Sequence, residues 1–155
     1  MTNVLTKEAI ELLDDPLTVK VLTTVDESGI PHSVIKDSLA ADEDGNIFYL
    51  ERTEFSRTGR NLIHSLWFNR KVTVLLKGIG DRSVQIKGIP VKTLISGPVF
   101  QRHYVALREQ IGDADLSAVW IIRPDEVVDQ SWAARLRETQ TRHPGYTHLD
   151  RLVRV

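Results

Sequence analysis

The chain has 155 residues and almost balanced charge, with 20 lysines and arginines against 21 aspartates and glutamates and a formal net charge of -1. This length suits one ordinary domain, and we predict a single domain over residues 1–155. Balanced charge provides no positive excess for non-specific binding of nucleic acid or of an anionic membrane. The sequence contains no cysteine, which excludes disulfides and thiolate metal sites and favours the cytoplasm. No apolar segment approaches the roughly 20 residues of a membrane span, so we expect a soluble protein.

Hydrophobic periodicity predicts a helix followed by a β-meander in the first third of the chain. Apolar residues at helical spacing between Leu5 and Leu17 follow a polar start, and Asp14-Asp15-Pro16 ends this pattern. The period then changes to two, which predicts strands over 19–25, 30–39 and 47–51. Acidic and glycine-containing segments at 26–29 and 42–46 predict the turns between them.

The remaining elements alternate between helices and strands. We predict a helix over 56–69, strands over 72–76 and 84–95 with a bend at Gly88, and a helix opened by Pro98. Closing strands are predicted over 118–123 and 126–131, around a Pro124-Asp125 turn. Six or seven antiparallel strands with two or three helices favour a closed or partly closed barrel. We assign 17–131 to the barrel core and 132–155 to a C-terminal extension, in which 133–141 are compatible with a helix.

A first polar cluster lies where the strand over 47–51 gives way to a helix: Thr53, Ser56, Arg57, Thr58 and Arg60. Free N–H groups and partial positive charge at a helix N-terminus, together with hydroxyl and guanidinium groups, supply the donors that a phosphate monoester needs. The cluster therefore predicts a phosphate site. The alternative is a Ser/Thr helix cap beside solvated arginines, because caps of this composition are common.

A second polar cluster is the strand segment from Pro31 to Ser38, which is unusually polar for a barrel strand. One face of this strand can hold a planar ligand through main-chain hydrogen bonds, with His32, Lys36 and Ser38 as polar contacts. The alternative is an ordinary half-exposed strand whose outward residues are polar.

Other motifs that carry chemistry are missing from the sequence. His143 and His148 are five residues apart without an accompanying carboxylate cluster, so we predict no zinc site. The sequence has no G-x-S-x-G, Walker A or G-x-G-x-x-G motif, which removes the usual support for a hydrolase, a nucleotide kinase or a Rossmann domain. Trp67-Phe68 lies at helical spacing with neighbouring leucines, which predicts a core or dimer contact rather than a base-stacking platform.

Four motifs occur in order along the chain: Gly29-Ile30-Pro31, Asp42-Glu43-Asp44-Gly45 with Ile47-Phe48-Tyr49, Ser56-Arg57-Thr58-Gly59-Arg60, and Arg82-Ser83-Val84-Gln85-Ile86-Lys87-Gly88. Over about Leu17 to Asp129 the chain thereby resembles the pyridoxamine 5'-phosphate oxidase-like family of FMN-binding split barrels. The resemblance implies a mainly β (α+β) fold, an antiparallel six- to seven-stranded split β-barrel of the FMN-binding type with flanking helices. It also implies a homodimer that binds FMN at the subunit interface.

Carried over residue by residue, the resemblance implies FMN contacts at Val34, Ile35, Lys36, Asp37, Ser38, Leu39, Tyr49, Leu50, Ser56, Arg57, Thr58, Arg60 and Ser83. Val34, Leu39 and Thr58 stand where the oxidase has cations, and each missing charged contact forgoes on the order of 1.5 to 3 kcal/mol of gross binding. The oxidase's C-terminal tryptophan and arginine signature has no counterpart in His148-Leu149-Asp150-Arg151-Leu152. We therefore predict an FMN-binding oxidoreductase of unassigned substrate and catalytic residues, rather than a vitamin B6 oxidase.

The missing cations also support an alternative from another functional class. In that reading the barrel is a binding module, without catalytic turnover, for haem or another flavin-like ligand; F420 is a further candidate cofactor. The histidines available as haem ligands are His32, His64, His103, His143 and His148.

Overall fold

The computed structural model describes residues 4–145. Its helices are α1 (Lys7–Asp14), α2 (Arg57–Phe68), α3 (Pro98–Ile111) and α4 (Trp132–Arg142). Its strands are β1 (Val19–Val25), β2 (Pro31–Ile35), β3 (Ala40–Ala41), β4 (Ile47–Glu51), β5 (Val72–Lys77), β6 (Ser83–Leu94) and β7 (Ala118–Asp129). The segment compatible with a helix in the C-terminal extension forms α4, while the part of the extension from residue 146 onward lies outside the described residues. Among residues 4–145 no helix is long and apolar enough to cross a membrane.

The seven strands form one antiparallel sheet in the order β2-β1-β5-β6-β7-β4-β3. Strands β2 and β3 lie at opposite edges of this sheet, yet only residues 36–39 connect them. Such a link spans about 18 Å when fully extended, whereas seven flat strands would separate the edges by about 29 Å. The sheet must therefore curl until its edges approach, which confirms the predicted split β-barrel.

The predicted strand over 30–39 is wrong in its second half, because β2 ends at Ile35. The Lys36 N–H still donates to the Lys20 carbonyl at 2.8 Å, but the Leu39 N–H then bonds back to the Lys36 carbonyl at 3.4 Å and closes a turn. This turn lets the fully buried Leu39 enter the core. We call residues 36–39 the crossover segment, since they pass from one sheet edge to the other.

The predicted turn at Pro124-Asp125 is also wrong, because β7 continues through it. Lys87 pairs with Glu126 and Gly88 pairs with Pro124, so Asp125 is the extra residue of a β-bulge. The two strands approach closely there: a Cβ on Gly88 would lie 2.7 Å from the Arg123 carbonyl oxygen. The predicted continuation of β6 past Gly88 is confirmed, and the irregularity at this point belongs to β7.

Two hydrophobic clusters hold the fold together. The larger lies inside the barrel, where Leu12 and Leu13 of α1 and Leu62 of α2 pack against the inward residues of the strands. The smaller lies outside, where α3 covers the opposite face of β7 through Leu107, which packs near Val119 and Ile121. Because β7 buries alternate residues against different clusters, both of its faces are apolar along Ala118–Ile122.

Candidate functional site

The crossover segment is held in place from inside by a buried lysine. Lys20 is only 7% exposed, and its Nζ donates to the carbonyls of Leu13 at 2.7 Å and Leu39 at 2.9 Å. Burial lowers the pKa of this ammonium group, while the nearby carboxylates of Asp37, Asp14 and Asp15 act in the opposite direction. Lys20 therefore fastens the end of α1 and the crossover segment to β1.

The crossover segment also contacts β4, which brings together four of the predicted cofactor residues. The Ser38 hydroxyl bonds to both backbone groups of Leu50, at 3.2 Å to the carbonyl oxygen and 3.3 Å to the nitrogen. The Lys36 Nζ lies 5.3 Å from the centre of the Tyr49 ring, within cation–π range. The Tyr49 side chain itself lies in the barrel core, where burial, followed by the charge of Glu51, raises the pKa of its phenol.

The first polar cluster lies at the start of α2, and its serine is already engaged in hydrogen bonds. Ser56 is the N-cap, and its Oγ accepts from the Gly59 N–H at 2.9 Å. The same hydroxyl donates to Oε1 of Glu51. Thr58 is 2% exposed, whereas Arg57 and Arg60 reach solvent. The cap interpretation is thus confirmed for Ser56, and the two guanidinium groups remain accessible to an anion.

Glu51 is a site residue that the sequence analysis missed. Its side chain is 4% exposed, and Oε2 accepts from the Trp120 indole N–H at 3.3 Å. The carboxylate lies so close to α2 that a Cβ on Gly59 would be 2.5 and 2.8 Å from its two oxygens. The period-two pattern carried a signal, because Ile47 and Tyr49 are buried and Glu51 continues the same inward face of β4.

The structure places three other predicted residues away from these contacts. Val34 and Ile35 lie on the edge strand β2, paired with Leu22 and Val21 of β1, and Ile35 is 62% exposed. Ser83 begins β6, three strands from β2 in the sheet order, which corresponds to about 14 Å. Within one chain Ser83 therefore does not join the crossover segment.

Comparisons with solved structures identify proteins of the same architecture. HupZ of Group A Streptococcus superposes with a TM-score of 0.69, at 19% identity over 83% of this chain and 95% of its own. A pyridoxamine 5'-phosphate oxidase-like protein of Lactobacillus delbrueckii gives 0.64, at 21% identity over 82% and 95% of the two chains. An FMN-binding protein of Syntrophomonas wolfei gives 0.66, at 16% identity over 81% and 85%. The chain has the split-barrel fold of the pyridoxamine 5'-phosphate oxidase-like proteins.

The structure is also similar to proteins whose names refer to F420 or haem. An F420 reductase gives a TM-score of 0.59 at 19% identity, over 77% of this chain and 95% of its own. HutZ, described as the haem storage protein of Vibrio cholerae, gives 0.57 at 14% identity, over 77% and 89%. No protein-family model and no curated protein sequence matches this chain. These identities establish the fold of this split barrel and leave its ligand to be argued from its own residues.

The histidines of the split barrel are spread over separate places. The His64 ring lies 4.7 Å from that of Phe68, and its buried Nε2 has no hydrogen-bond partner among the described residues. The His103 ring lies 4.4 Å from that of Phe48, in a cleft of about 730 Å³ between α3 and the β3–β4 turn. Burial, followed by the charge of Arg102, lowers the pKa of His103, and Asp42 opposes this shift. His148 lies outside the described residues.

Proposed function

We propose that this split barrel binds FMN and uses it in an oxidoreductase reaction. The observation that carries the proposal is the junction of the crossover segment with β4, where Ser38 bonds to Leu50 and Lys36 approaches Tyr49. A polar surface that joins two sheet edges suits a planar ring with polar edges. Bound FMN would supply the transfer of hydride or single electrons, and the protein would supply its orientation and its electrostatic surroundings.

Different residues of the chain suit the ring and the phosphate of FMN. Lys36 carries a positive charge beside the position proposed for the ring, and backbone groups of the crossover segment that are not used internally can hydrogen-bond to its edge. Arg57 and Arg60 are exposed, and no ion pair engages either of them among residues 4–145. We therefore assign the phosphate to these two guanidinium groups, which suit phosphate geometry.

We expect Arg57→Gln to weaken FMN binding by about tenfold or more, because one charge-assisted contact to the phosphate is lost. Riboflavin has the same ring without the phosphate, so its affinity should change by less than about twofold. Fluorescence titration of both flavins measures the two dissociation constants. Arg102→Gln is the matched control, because Arg102 is an exposed arginine on α3. A protein that binds no flavin after reconstitution would refute the proposed function, and equal losses for both flavins would refute the role of Arg57.

We further propose a homodimer with the flavin at its interface. The outer face of β2, β1, β5 and β6 has no described helix packed over it, and Val19 and Ile35 there are 45% and 62% exposed. On α2, Trp67 is 77% exposed and Phe68 66%, so the core alternative for this pair is wrong. A second copy that covered these apolar surfaces would also bring its own Ser83 toward a site that one chain leaves incomplete.

We expect Trp67→Glu or Ile35→Glu to raise the dimer dissociation constant by at least about tenfold, because each buries a charge in an apolar contact. Sedimentation velocity with absorbance detection follows assembly and retained flavin together. Trp132→Glu is the matched control, since Trp132 is a similarly exposed tryptophan, at 60%, on α4. A stable native monomer that retains FMN would contradict the dimer proposal.

Haem binding is the second candidate, favoured by Nε2 of His64, which has no hydrogen-bond partner within residues 4–145. An imidazole nitrogen without a hydrogen bond can serve as an axial ligand, and because this atom is buried the side chains around it would have to move to admit the haem iron. A Soret band on haem titration that His64→Ala abolishes would support this candidate, and an unchanged spectrum would eliminate it.

A further inference from the structure

Glu51 places a buried carboxylate directly beneath the start of α2. Its oxygens accept from the Ser56 hydroxyl and from the Trp120 indole, and they lie against Gly59 in the first turn. No lysine, arginine or histidine forms an ion pair with it among the described residues. The negative charge of Glu51 therefore lies against the N-terminus of α2, whose partial positive charge compensates it.

The same features would otherwise attract a phosphate group. A phosphate bound at this end of α2 would need the hydroxyl proton of Ser56 and the positive field of the helix, and Glu51 already uses both. A second anion would also lie close to an existing carboxylate in a region of low solvent access, where like charges repel strongly. The Ser56 hydroxyl and the field of the first turn are thus already taken up by Glu51, and the exposed side chains of Arg57 and Arg60 remain to attract phosphate.

We infer that Glu51 is a specificity-determining residue that disfavours a phosphate at the N-terminus of α2. One consequence of this inference rests on the proposed flavin function: Glu51 should weaken the preference of the protein for FMN over riboflavin. Removal of this one charge should restore the helix terminus as a phosphate site, because a buried negative charge then no longer opposes the positive field of the first turn. The ring of the flavin is bound elsewhere, so its contribution should not change.

The first test compares FMN and riboflavin affinities in the native protein and in Glu51→Gln. We expect the variant to bind FMN about tenfold more tightly or better, with riboflavin changed by less than about twofold. Trp120→Phe is the control, because it removes a hydrogen bond to Glu51 and keeps the charge. An unchanged ratio of the two affinities in Glu51→Gln would overturn the inference, as would an equal change in Trp120→Phe.

The second test is independent of flavin and uses inorganic phosphate as the probe. We expect the backbone amide signals of Arg57 and Thr58 to shift at about tenfold lower phosphate concentration in Glu51→Gln than in the native protein, where the guanidinium groups attract the ion without help from the helix terminus. Glu51→Met provides the same test without a new amide donor beside Trp120 if the glutamine variant is unstable. Equal responses of native and variant protein, or no response in either, would overturn the inference. A phosphate response without flavin binding would refute the proposed function and leave this inference standing.

Discussion

Lys20→Met is expected to lower the free energy of unfolding by about 3 kcal/mol, because two buried carbonyls lose a charged donor. The Leu13 carbonyl lies in the last turn of α1 and the Leu39 carbonyl lies at the end of the crossover segment, so the substitution releases both. Methionine keeps most of the side-chain volume, which separates the lost hydrogen bonds from a cavity effect. Urea denaturation measures the change in free energy.

Hydrogen exchange locates the effect of this substitution. We expect the amide of Leu39, which closes the turn of the crossover segment, to lose protection before the centres of β5 and β6 do. Lys92→Met is the control, because Lys92 is exposed, and its effect should stay within about 0.5 kcal/mol. Equal stability of the two variants would show that Lys20 does not hold the crossover segment in place.

Gly59→Ala is expected to destabilise the protein by about 2 to 3 kcal/mol, although it replaces a helical glycine. In an exposed helix the same change stabilises by about 1 kcal/mol, since alanine has the higher helix propensity. Here the added Cβ would lie 2.5 Å from an oxygen of Glu51, whose carboxylate is held by Ser56 and Trp120. The carboxylate must leave these partners to make room.

A double-mutant cycle tests this explanation. In a Glu51→Ala background the obstructing carboxylate is gone, so Gly59→Ala should become neutral or stabilising by up to about 1 kcal/mol. Chemical denaturation of the four proteins gives the coupling free energy between the two positions. If Gly59→Ala costs the same in both backgrounds, the close approach of Glu51 is not the reason for glycine at this position.

Together these two positions show how the fold prepares the candidate site. Lys20 fixes the crossover segment from the core side, so that Lys36 and Ser38 lie beside β4. Glu51 occupies the space below α2 and leaves Arg57 and Arg60 as the accessible cations. The residues proposed to contact the flavin ring would therefore be held in place by the fold, whereas the phosphate would be bound by two exposed side chains.

The elements that depend on neighbours along the chain could be predicted from the amino-acid sequence. The period of two predicted β1, β4, β5 and β6, the Ser56 cap and helical spacing predicted α2, and glycines at 29 and 45 marked turns that the structure forms at positive φ. These features follow from backbone sterics and local hydrogen bonds, which a few consecutive residues control. The order of such elements predicted a closed or partly closed antiparallel barrel, and the resemblance of four short motifs to a known family indicated the split type.

The contacts between groups that are distant in the chain could be known only from the folded protein. Glu51 and Trp120 are 69 positions apart, and Lys20 reaches a carbonyl 19 positions away, so no local pattern predicts either contact. The end of β2 at Ile35 and the bulge at Asp125 likewise depend on pairing with other strands. The reason is physical: a buried polar group is tolerated only where a partner exists, and that partner is supplied by folding, not by sequence neighbours.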